Sequence, residues 1–521
     1  MKKTNKKKPR TRIPDLILIT IQLVVSLVFI YTLYQFNMLP TPILLIIILF
    51  LLILFAIFFI LMIKRMSVTK TNIKLGFQFI VCLVLFVGNF YISSVTSSFR
   101  TITDAPQTNI EKIELITLLD SPVTSINDLS NAYVGVQVGI DSDLSNYASD
   151  ELGKEIDFAR NEYKSYSNMV TDLLLGVDDA ILLNSAYVKM MEDTVEGFYQ
   201  NFKVITAYTR ETELPTEIAN AKLPDEPFVV YISALDELGE PNQNLNSDVN
   251  MLLLVDPIAN HITMVTIPRD SYVPNPILDY GLDKLTHTGS YGIEQTVKAA
   301  ENVFGFDIDY YAKVSFSSLI EIVNTLDGII VDVPVTFCEQ NSQRSYLWAD
   351  QICLEQGERS VYGEAALALA RHRASYTDKE RVMVQQGIIK SIAKKMMTPV
   401  GISRLPDLLN IIPQYVATNM PYSAMSSFVQ NELTNITSWT FDSISMANGV
   451  GDSRSTATEP GPLRYVEILS YQDILNVYDR YVSMLKPREL SEFKFDLTNM
   501  DKYVNQLPPV PNMIYAEDLG Y

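Results

Sequence analysis

Cysteine and histidine are scarce in this sequence, since each occurs only three times in 521 residues. Three cysteines cannot build a disulfide-rich scaffold, and three histidines leave little material for a zinc enzyme. The chain also lacks the GxSxG, GxxxxGK[ST] and HExxH patterns. The common hydrolase, NTPase and zincin chemistries therefore have no motif to support them.

Acidic residues are almost absent from the first hundred positions, where Asp15 stands against twelve Lys and Arg. That segment has a net charge of +11, which leaves −30 for the other 421 residues out of the overall −19. A basic, apolar head on an acidic body is not the pattern of a soluble cytoplasmic protein. The acidic body also lacks the basic face that binding to a phosphate backbone requires, which argues against a nucleic-acid-binding body.

Uncharged apolar stretches interrupt the basic head at Leu16–Phe36, Ile43–Ile63 and Leu75–Val95. Each has about the ~20 residues that a helix needs to cross a ~30 Å hydrocarbon core. The pattern predicts three transmembrane helices within residues 13–98. A cleaved signal peptide is disfavoured, because the first stretch is too long and two more follow it.

Basic residues cluster in two segments that flank the predicted spans. Residues 1–12 carry seven Lys and Arg, residues 64–74 carry four, and the connection at 37–42 carries none. The positive-inside rule then predicts a multi-pass protein of the cell membrane with a cytoplasmic N-terminus and extracellular C-terminal domains. The tail 1–12 is interpreted as a topology signal that contacts anionic membrane lipids. A DNA-binding arm is the less favoured interpretation, because the tail has no recognisable element for reading bases.

Residues 105–220 show a small α/β pattern, and we predict an accessory domain there. Its order of elements resembles one lobe of the extracellular solute-binding fold, but no ligand constellation is evident, so its task stays open. Predicted strands are Ile113–Leu119 and Tyr133–Val138, and predicted helices are Ser167–Leu175 and Ala186–Phe198. The segment Arg210–Pro227 is rich in Glu, Pro and Lys and reads as a linker.

Residues 228–400 alternate strands and helices, which favours a buried sheet covered by helices on both faces, and the domain is predicted to span residues 225–485. Predicted strands are Phe228–Ser233, Val249–Val255, His261–Ile267 and Gly328–Val333, and predicted helices are Gly292–Phe304, Ser315–Leu326, Gly363–Ala370 and Val382–Met397. Gly449–Pro462 is predicted to be a flexible surface loop, and residues 486–521 an extended tail.

Charged side chains stand where these strands end. Asp236 follows the first strand, Asp248 begins the second, and Arg269 with Asp270 ends the third. Further along are two arginines in the segment "ALALARHRAS" and a helical pair four residues apart, namely Arg371, Arg373, Arg381 and Gln385. The ends of sheet strands are where α/β folds bind ligands.

Four arginines converging on one site suit a polyanion, because guanidinium groups bind phosphate bidentately. Two aspartates nearby suit a hard divalent cation such as Mg²⁺. The combination predicts a metal-assisted pyrophosphate site. Each residue taken alone is weaker evidence for a binding site, since a single Arg–Asp turn more often forms a surface salt bridge.

Four segments of the body resemble the LytR–CpsA–Psr family. They are "SDVNMLLLVDPIANHITMVTIPRDSYV", "DKLTHTGSYG", "DYYAKVSFSSLIEIVNTLDGIIVDVP" and "GEAALALARHRASYTDKERVMVQQG". Three spans followed by an accessory domain are similar to the streptococcal capsule-locus CpsA branch of that family. The resemblance implies an α-β-α catalytic domain with a mixed central sheet. It also implies an enzyme that transfers a glycopolymer, here capsular polysaccharide, from a polyprenyl-pyrophosphate carrier to peptidoglycan.

The resemblance assigns roles to the charged residues. Asp236 and Asp248 would hold Mg²⁺, with Mn²⁺ as an alternative, and Asp270 would orient Arg269 or activate the acceptor hydroxyl. The implied pyrophosphate-binding residues are Arg269, Lys284, Arg371, Arg373, Arg381 and Gln385. One departure is Asn246, where family members commonly have Arg, so one phosphate contact is lost or is supplied by Lys284. Other capsule assembly proteins are further candidate partners.

Cys338 and Cys353 are fifteen residues apart in a predicted extracellular segment. An oxidising location permits a disulfide, and neither thiol has a basic neighbourhood typical of a reactive cysteine, so a disulfide is the favoured interpretation.

Two other functions remain alternatives to the transferase. One is a membrane regulator of capsule expression, whose cytoplasmic tail binds DNA or a partner and whose outer domains sense polymer. The other is a lipid-carrier binding protein that makes no product.

Overall fold

The computed structural model describes most of the chain, in the ranges that follow. They are 13–64, 66–104, 108–194, 198–213, 226–235, 241, 243–343, 345, 347–372, 374–376, 378–396, 398, 400–401, 404, 407–408, 411, 415–434, 439–446, 448–485 and 513–520. The basic tail 1–12 and residues Asp236 and Arg373 lie outside them. The chain divides into two compact units, one of residues 1–104, 223–225 and 421–438, and one of the rest.

The first unit contains long apolar helices. Among the described residues, three helices are long and apolar enough to cross a membrane, as the sequence predicts. They are α1 (Ile13–Phe36), α2 (Thr41–Ile63) and α3 (Val68–Asp104). A shorter helix, Tyr422–Thr434, belongs to the same unit.

Buried polar pairs join α1 to α3. Lys74 Nζ lies 2.6 Å from Asp15 Oδ1, and Gln78 Nε2 donates to Gln22 Oε1 at 2.7 Å. Because the partners on both helices rise in number together, α1 and α3 run in the same direction. Polar groups inside a membrane bundle are costly unless they are paired in this way.

The accessory domain begins the second unit and is built on a mixed sheet of the order β3-β2-β4-β1-β5. Its strands are β1 (Thr108–Leu118), β2 (Tyr133–Gln137), β3 (Ala159–Tyr163), β4 (Ala180–Asn184) and β5 (Phe202–Glu213). Its helices are α4 (Ser142–Gly153), α5 (Tyr166–Leu174), α6 (Ser185–Thr194) and α7 (Phe198–Asn201). Strand β2 is parallel to β3 and β4, so the carboxyl ends of these three strands lie at one edge.

The domain predicted to be catalytic, residues 225–485 and called the catalytic domain below, has a mixed sheet of the order β16-β11-β6-β7-β8-β17. The strands of the domain are β6 (Phe228–Leu235), β7 (Ser247–Asp256), β8 (His261–Ile267), β9 (Tyr272–Pro274), β10 (Leu282–Lys284), β11 (Tyr310–Val314), β12 (Ile329–Val333), β13 (Phe337–Glu339), β14 (Ile352–Leu354), β15 (Gly357–Val361), β16 (Val416–Thr418), β17 (Thr440–Ser445), β18 (Val450–Arg454) and β19 (Arg464–Ile468). The helices are α8 (Leu285–Thr288), α9 (Ile293–Phe304), α10 (Phe316–Thr325), α11 (Gly363–Arg371), α12 (Asp378–Met396) and α13 (Tyr471–Leu485).

Helices cover both faces of this sheet, as predicted. Val265 and Ile267 of β8 belong to a core that also includes residues of α9 and α13. Thr266 lies between them and accepts a hydrogen bond from Gln386 of α12. Since successive residues of a strand point to opposite faces, α12 packs against the other face. Helix α9 ends where Gly305 adopts a left-handed conformation (φ 72°), which glycine tolerates without strain.

Two local predictions are wrong, and a third, the extended tail, is contradicted over residues 513–520 alone. The predicted strand Gly328–Val333 exists as β12, but it pairs with β15 in a separate two-stranded sheet rather than in the central one. The segment Gly449–Pro462 is not a flexible surface loop, because it contains β18 and the buried side chains of Thr456, Thr458 and Glu459. Of the predicted extended tail, residues 513–520 contain a 3-10 helix with Ala516 buried.

Candidate active site

Antiparallel pairing of β7 with β8 brings the first charged residues together. Asn250 pairs with Ile267, so Asp248 before it and Arg269 after it meet at the same edge. Arg269 Nη1 lies 2.5 Å from Asp248 Oδ1. The carboxylate of Asp248 is largely buried, with 8% of its side chain exposed, and this ion pair compensates the loss of hydration.

A second pair continues from the first. Asp270 follows Arg269 in the chain, and its Oδ1 accepts a hydrogen bond of 2.8 Å from Lys284 Nζ. Its other oxygen lies 3.5 Å from Nε of Arg269. The charges Asp248, Arg269, Asp270 and Lys284 therefore form one continuous row of alternating sign.

A cavity of about 370 Å³ lies beside this row. The polar residues of the described chain that line it are Asp248, Glu339, Arg371, Arg381 and Gln385. Apolar side chains complete the wall, namely Ala234, Leu235, Val249, Phe316, Ala370 and Ala374. The cavity thus joins the starts and ends of sheet strands with α11 and α12, which is where the sequence predicts a ligand.

Two helices supply the arginines of the cavity. Arg371 lies in the last turn of α11, where Nη1 donates to the carbonyl of Asn341 at 3.2 Å. Its guanidinium carbon is 5.1 Å from the centre of the Phe316 ring, a cation–π contact. Arg381 and Gln385 are one turn apart on α12 and line the same cavity, as their spacing predicts.

Glu339 is a cavity residue that the sequence does not reveal. Its Oε2 is 2.9 Å from His372 Nδ1, while His372 Nε2 accepts a hydrogen bond from the amide of Ser375. Because Nε2 is an acceptor, the proton of the neutral ring lies on Nδ1 and is donated to Glu339. His372 is buried and stacks on Phe337 with ring centres 4.1 Å apart, so it holds Glu339 in place rather than contacting a ligand.

A disulfide connects the strands that carry Glu339. Cys338 on β13 is paired with Cys353 on β14, with an S–S distance of 2.01 Å. These are the two cysteines that the sequence predicts to pair. Glu339 follows Cys338 directly, so the disulfide fixes the strand from which this carboxylate enters the cavity.

The other predicted site residues have clear positions. Asn246, the departure from the family pattern, accepts a hydrogen bond of 2.8 Å from Ser290 Oγ. Lys284 contacts Asp270, as described above, and does not line the cavity. Asp236 and Arg373 lie outside the described residues, although Leu235, which precedes Asp236, lines the cavity.

The donor set available to a metal is small. Among the described residues, no group of three or more His, Cys, Asp or Glu is placed to hold a metal ion. Mg²⁺ commonly uses only one or two carboxylates and completes its shell with water and substrate phosphates. Asp248 at the cavity wall, one oxygen of which contacts Arg269, fits that limited role.

Comparison with known proteins identifies a family over half of the chain. The profile described as the LytR_cpsA_psr family matches residues 195–456. Curated relatives include TagT of Bacillus subtilis (strain 168), which is 29% identical over 194 residues, covering 37% of this chain and 59% of TagT. TagU of the same organism is 30% identical over 204 residues, covering 38% of this chain and 62% of TagU.

Both matches span less than two thirds of the relative. Both relatives are named polyisoprenyl-teichoic acid–peptidoglycan teichoic acid transferases.

A solved structure is also similar. The crystal structure of TagV from B. subtilis is 26% identical and covers 50% of this chain and 99% of that chain, with a TM-score of 0.42.

Proposed function

Since this chain belongs to the LytR–CpsA–Psr family, we propose that it is a membrane-anchored transferase of a glycopolymer. The donor would be the polymer on a polyprenyl-pyrophosphate carrier, and the acceptor would be peptidoglycan. One observation carries the proposal: Asp248, Arg371, Arg381 and Gln385 line one cavity at the strand ends of the catalytic domain. The names of TagT and TagU supply the class of donor and acceptor.

The chemistry suits a site without a nucleophilic serine or cysteine. An acceptor hydroxyl oxygen forms a bond to the phosphorus that bears the polymer, and the bond from that phosphorus to the carrier's phosphate oxygen breaks. Negative charge develops on the phosphate oxygens, and arginines fixed before the reaction stabilise it. Arg371 and Arg381 supply the stabilising positive charge at the cavity. Arg269 is held in its orientation by Asp248 and Asp270.

These positions support the residue roles that the family resemblance implies. Arg269, Arg371, Arg381 and Gln385 would bind the pyrophosphate, with Arg373 as the remaining member of the predicted set. Lys284 would lie at the edge of the pyrophosphate site and would act through its hydrogen bond to Asp270. Asp270 would hold Arg269 and Lys284 in position or accept the acceptor's proton, and both roles are compatible with its two contacts.

A divalent cation, Mg²⁺ or Mn²⁺, is part of the proposal. Asp248 and Asp236 would hold it, and the bound ion would neutralise pyrophosphate charge. The ion pair between Asp248 and Arg269 would keep the carboxylate compensated when no cation is bound.

The membrane anchor supports an extracellular site. Helices α1 and α3 run in the same direction, which agrees with three alternating crossings. With the basic segments 1–12 and 64–74 in the cytoplasm, the accessory and catalytic domains would lie outside, facing peptidoglycan. Energy for the transfer would come from the carrier's pyrophosphate bond. We further propose capsular polysaccharide as the polymer, on the basis of the three-span architecture of the CpsA branch.

The test is a coupling assay with the full chain in lipid nanodiscs. Polyprenyl-pyrophosphate-linked saccharide, peptidoglycan fragments and Mg²⁺ are supplied, and mass spectrometry detects the coupled product. We expect product from the wild type and none from Arg269→Ala or Asp248→Ala. A variant lacking residues 2–12 should retain activity, because the tail has no part in the chemistry. Tight carrier binding without product in the wild type would refute the transferase and favour a carrier-binding or regulatory protein.

A further inference from the structure

The catalytic domain inserts a carboxylate into the accessory domain. Glu459 is fully buried, and its Oε2 accepts a hydrogen bond of 2.8 Å from Ser167 Oγ. Its Oε1 accepts from the backbone amide of Ser167 at 3.3 Å. Ser165 Oγ lies 3.5 Å from Oε2 as well. Ser165 is the N-cap of α5, so Glu459 occupies the start of that helix, where free amides favour a negative charge.

This contact lies at the edge where open α/β sheets usually receive a ligand. Strands β2, β3 and β4 are parallel and end on the same side, and α5 begins directly after β3. In the described part of the chain, Glu459 has no basic side chain as an ion-pair partner. The helix start and the serine hydroxyls are therefore what stabilises its buried charge.

Thr458, which precedes Glu459, contacts the catalytic domain instead of the accessory domain. Thr458 is fully buried, and its Oγ1 donates to Oδ2 of Asp283. Asp283 is also fully buried, and its Oδ1 accepts from the backbone amide of Lys284 at 2.8 Å. Lys284 in turn donates its Nζ to Asp270, which lies beside Arg269. Hydrogen bonds, joined by the covalent chain at Thr458–Glu459 and within Lys284, thus lead from the accessory domain to the charged row of the active site.

We propose that Glu459 is a positioning residue for the active site. By binding to the start of α5, it fixes Thr458 against Asp283, and Asp283 fixes the backbone of Lys284 so that its ammonium group meets Asp270. The accessory domain would then act as the support of the pyrophosphate site. The inference rests on the proposed function, because it takes the charged row as part of that site.

Other contacts hold the same two domains together. Tyr187 Oη donates to Tyr291 Oη at 2.6 Å, and the amide of Asn244 donates to the carbonyl of Ile110 at 2.9 Å. Leu235 and Leu245, which flank the segment of Asp236, pack into the core of the accessory domain. Loss of the Glu459 contact alone should therefore leave the domains associated while it loosens Lys284.

The test uses the full chain in nanodiscs and geranyl pyrophosphate as the probe. Glu459→Gln removes the charge, and Ser167→Ala removes the hydroxyl that donates to Glu459 at 2.8 Å without altering the catalytic domain. We expect each to raise the Kd for the probe about fivefold, a value at the low end for coupling between two sites. Lys284→Ala should raise it further, and adding Glu459→Gln to Lys284→Ala should change nothing more, since both act through one side chain.

Glu517→Gln is the matched control. Glu517 also binds a helix start through a serine, accepting from Ser470 Oγ at 2.6 Å and from the amide of Tyr471 at 3.0 Å. It caps α13 and does not contact Thr458 or Asp283, so its variant should keep the wild-type Kd. A purely structural role for Glu459 predicts that its effect multiplies with that of Lys284→Ala, and that result overturns the proposal. A wild-type Kd in Ser167→Ala and Glu459→Gln overturns it too.

The coupling assay separates this proposal from the proposed function. If the wild type transfers polymer but both variants bind and react as it does, only the positioning role fails. If the variants change the Kd for the probe as expected but the wild type forms no product, only the proposed transferase activity fails. Absence of both binding and transfer in the wild type refutes the two together.

Discussion

The accessory and catalytic domains both place polar side chains at the ends of sheet strands, but they treat them differently. In the accessory domain, Asp141 follows β2 and is buried, and its Oδ2 accepts hydrogen bonds from Tyr166 Oη and Asn184 Nδ2. In the catalytic domain, Asp248 and Arg381 line an open cavity. Similar strand-end positions are therefore sealed in one domain and left open to a ligand in the other.

Charge balance explains the difference. Burial raises the pKa of Asp141 to about 6, and the hydrogen bonds from Tyr166 and Asn184 and the charge of Arg210 offset this rise only in part. The catalytic cavity instead collects arginines, and its carboxylates contact Arg269 or His372. A closed site tends towards neutrality, whereas the open cavity keeps the arginine side chains Arg371 and Arg381 at its wall, where they can meet an anionic ligand.

Of the changes that test this difference between the two domains, removal of one cavity arginine should have the largest effect on polymer transfer. Arg381→Ala should lower kcat/KM for polymer transfer by roughly 10²- to 10³-fold, as does the loss of one preorganised donor in other enzymes, while Tm changes little. Arg359→Ala is the control, because Arg359 is partly exposed and pairs with Glu355. Equal losses in both variants would mean that the cavity has no special role, and kinetics with calorimetry would reveal this.

Removal of the disulfide should affect one domain and spare the other. Cys338 and Cys353 close a loop with a sequence separation of 15, and such a crosslink contributes about 3 kcal/mol to the free energy of unfolding. The double variant Cys338→Ser, Cys353→Ser should lose about that amount in the catalytic domain. It should also bind pyrophosphate more weakly, because Asn341, which follows β13, accepts a hydrogen bond from the cavity arginine Arg371. Cys82→Ser, which changes the unpaired thiol in α3, serves as control. Hydrogen exchange of the backbone amides, resolved by peptide, checks this. The prediction fails if amides of the accessory domain lose as much protection as those of the catalytic domain.

The sealed carboxylate of the accessory domain should give the smallest and most pH-dependent effect. The pKa of Asp141 is raised to about 6 in the folded protein from 3.8. The folded state therefore binds this proton more tightly than the unfolded one, so stability decreases as the pH rises from about 4 through 6. The loss at neutral pH amounts to about 2–3 kcal/mol.

Asp141→Asn should remove this loss. One amide oxygen can accept from both Tyr166 and Asn184, since both donate to the same oxygen in the wild type. The variant should be more stable than the wild type at pH 8 and no more stable at pH 4.5, as measured by denaturant unfolding at each pH. A stability difference that does not change with pH would show that Asp141 titrates normally.

Local patterns in the sequence predict much of the fold and of the site. The three spans follow from the length and hydropathy of single segments, and β6, β7 and β8 follow from short apolar runs. The spacing of Arg381 and Gln385 places them together because helix geometry alone decides it. Short strands such as β11 and β16, and the separation of β12 from the central sheet, have no comparable local signature.

What the sequence by itself determined is the set of elements and the charged residues at their ends, because periodicity and motif spacing act over a few residues. Only the tertiary structure decided which distant residues meet. Glu339 enters the cavity through a hairpin closed by a disulfide, and Glu459 reaches Ser167 across 292 positions of the chain. Such contacts depend on how two domains pack. The segment Gly449–Pro462 has the Gly, Pro, Ser and Thr content of an exposed loop, yet it buries Glu459 against the accessory domain for that reason.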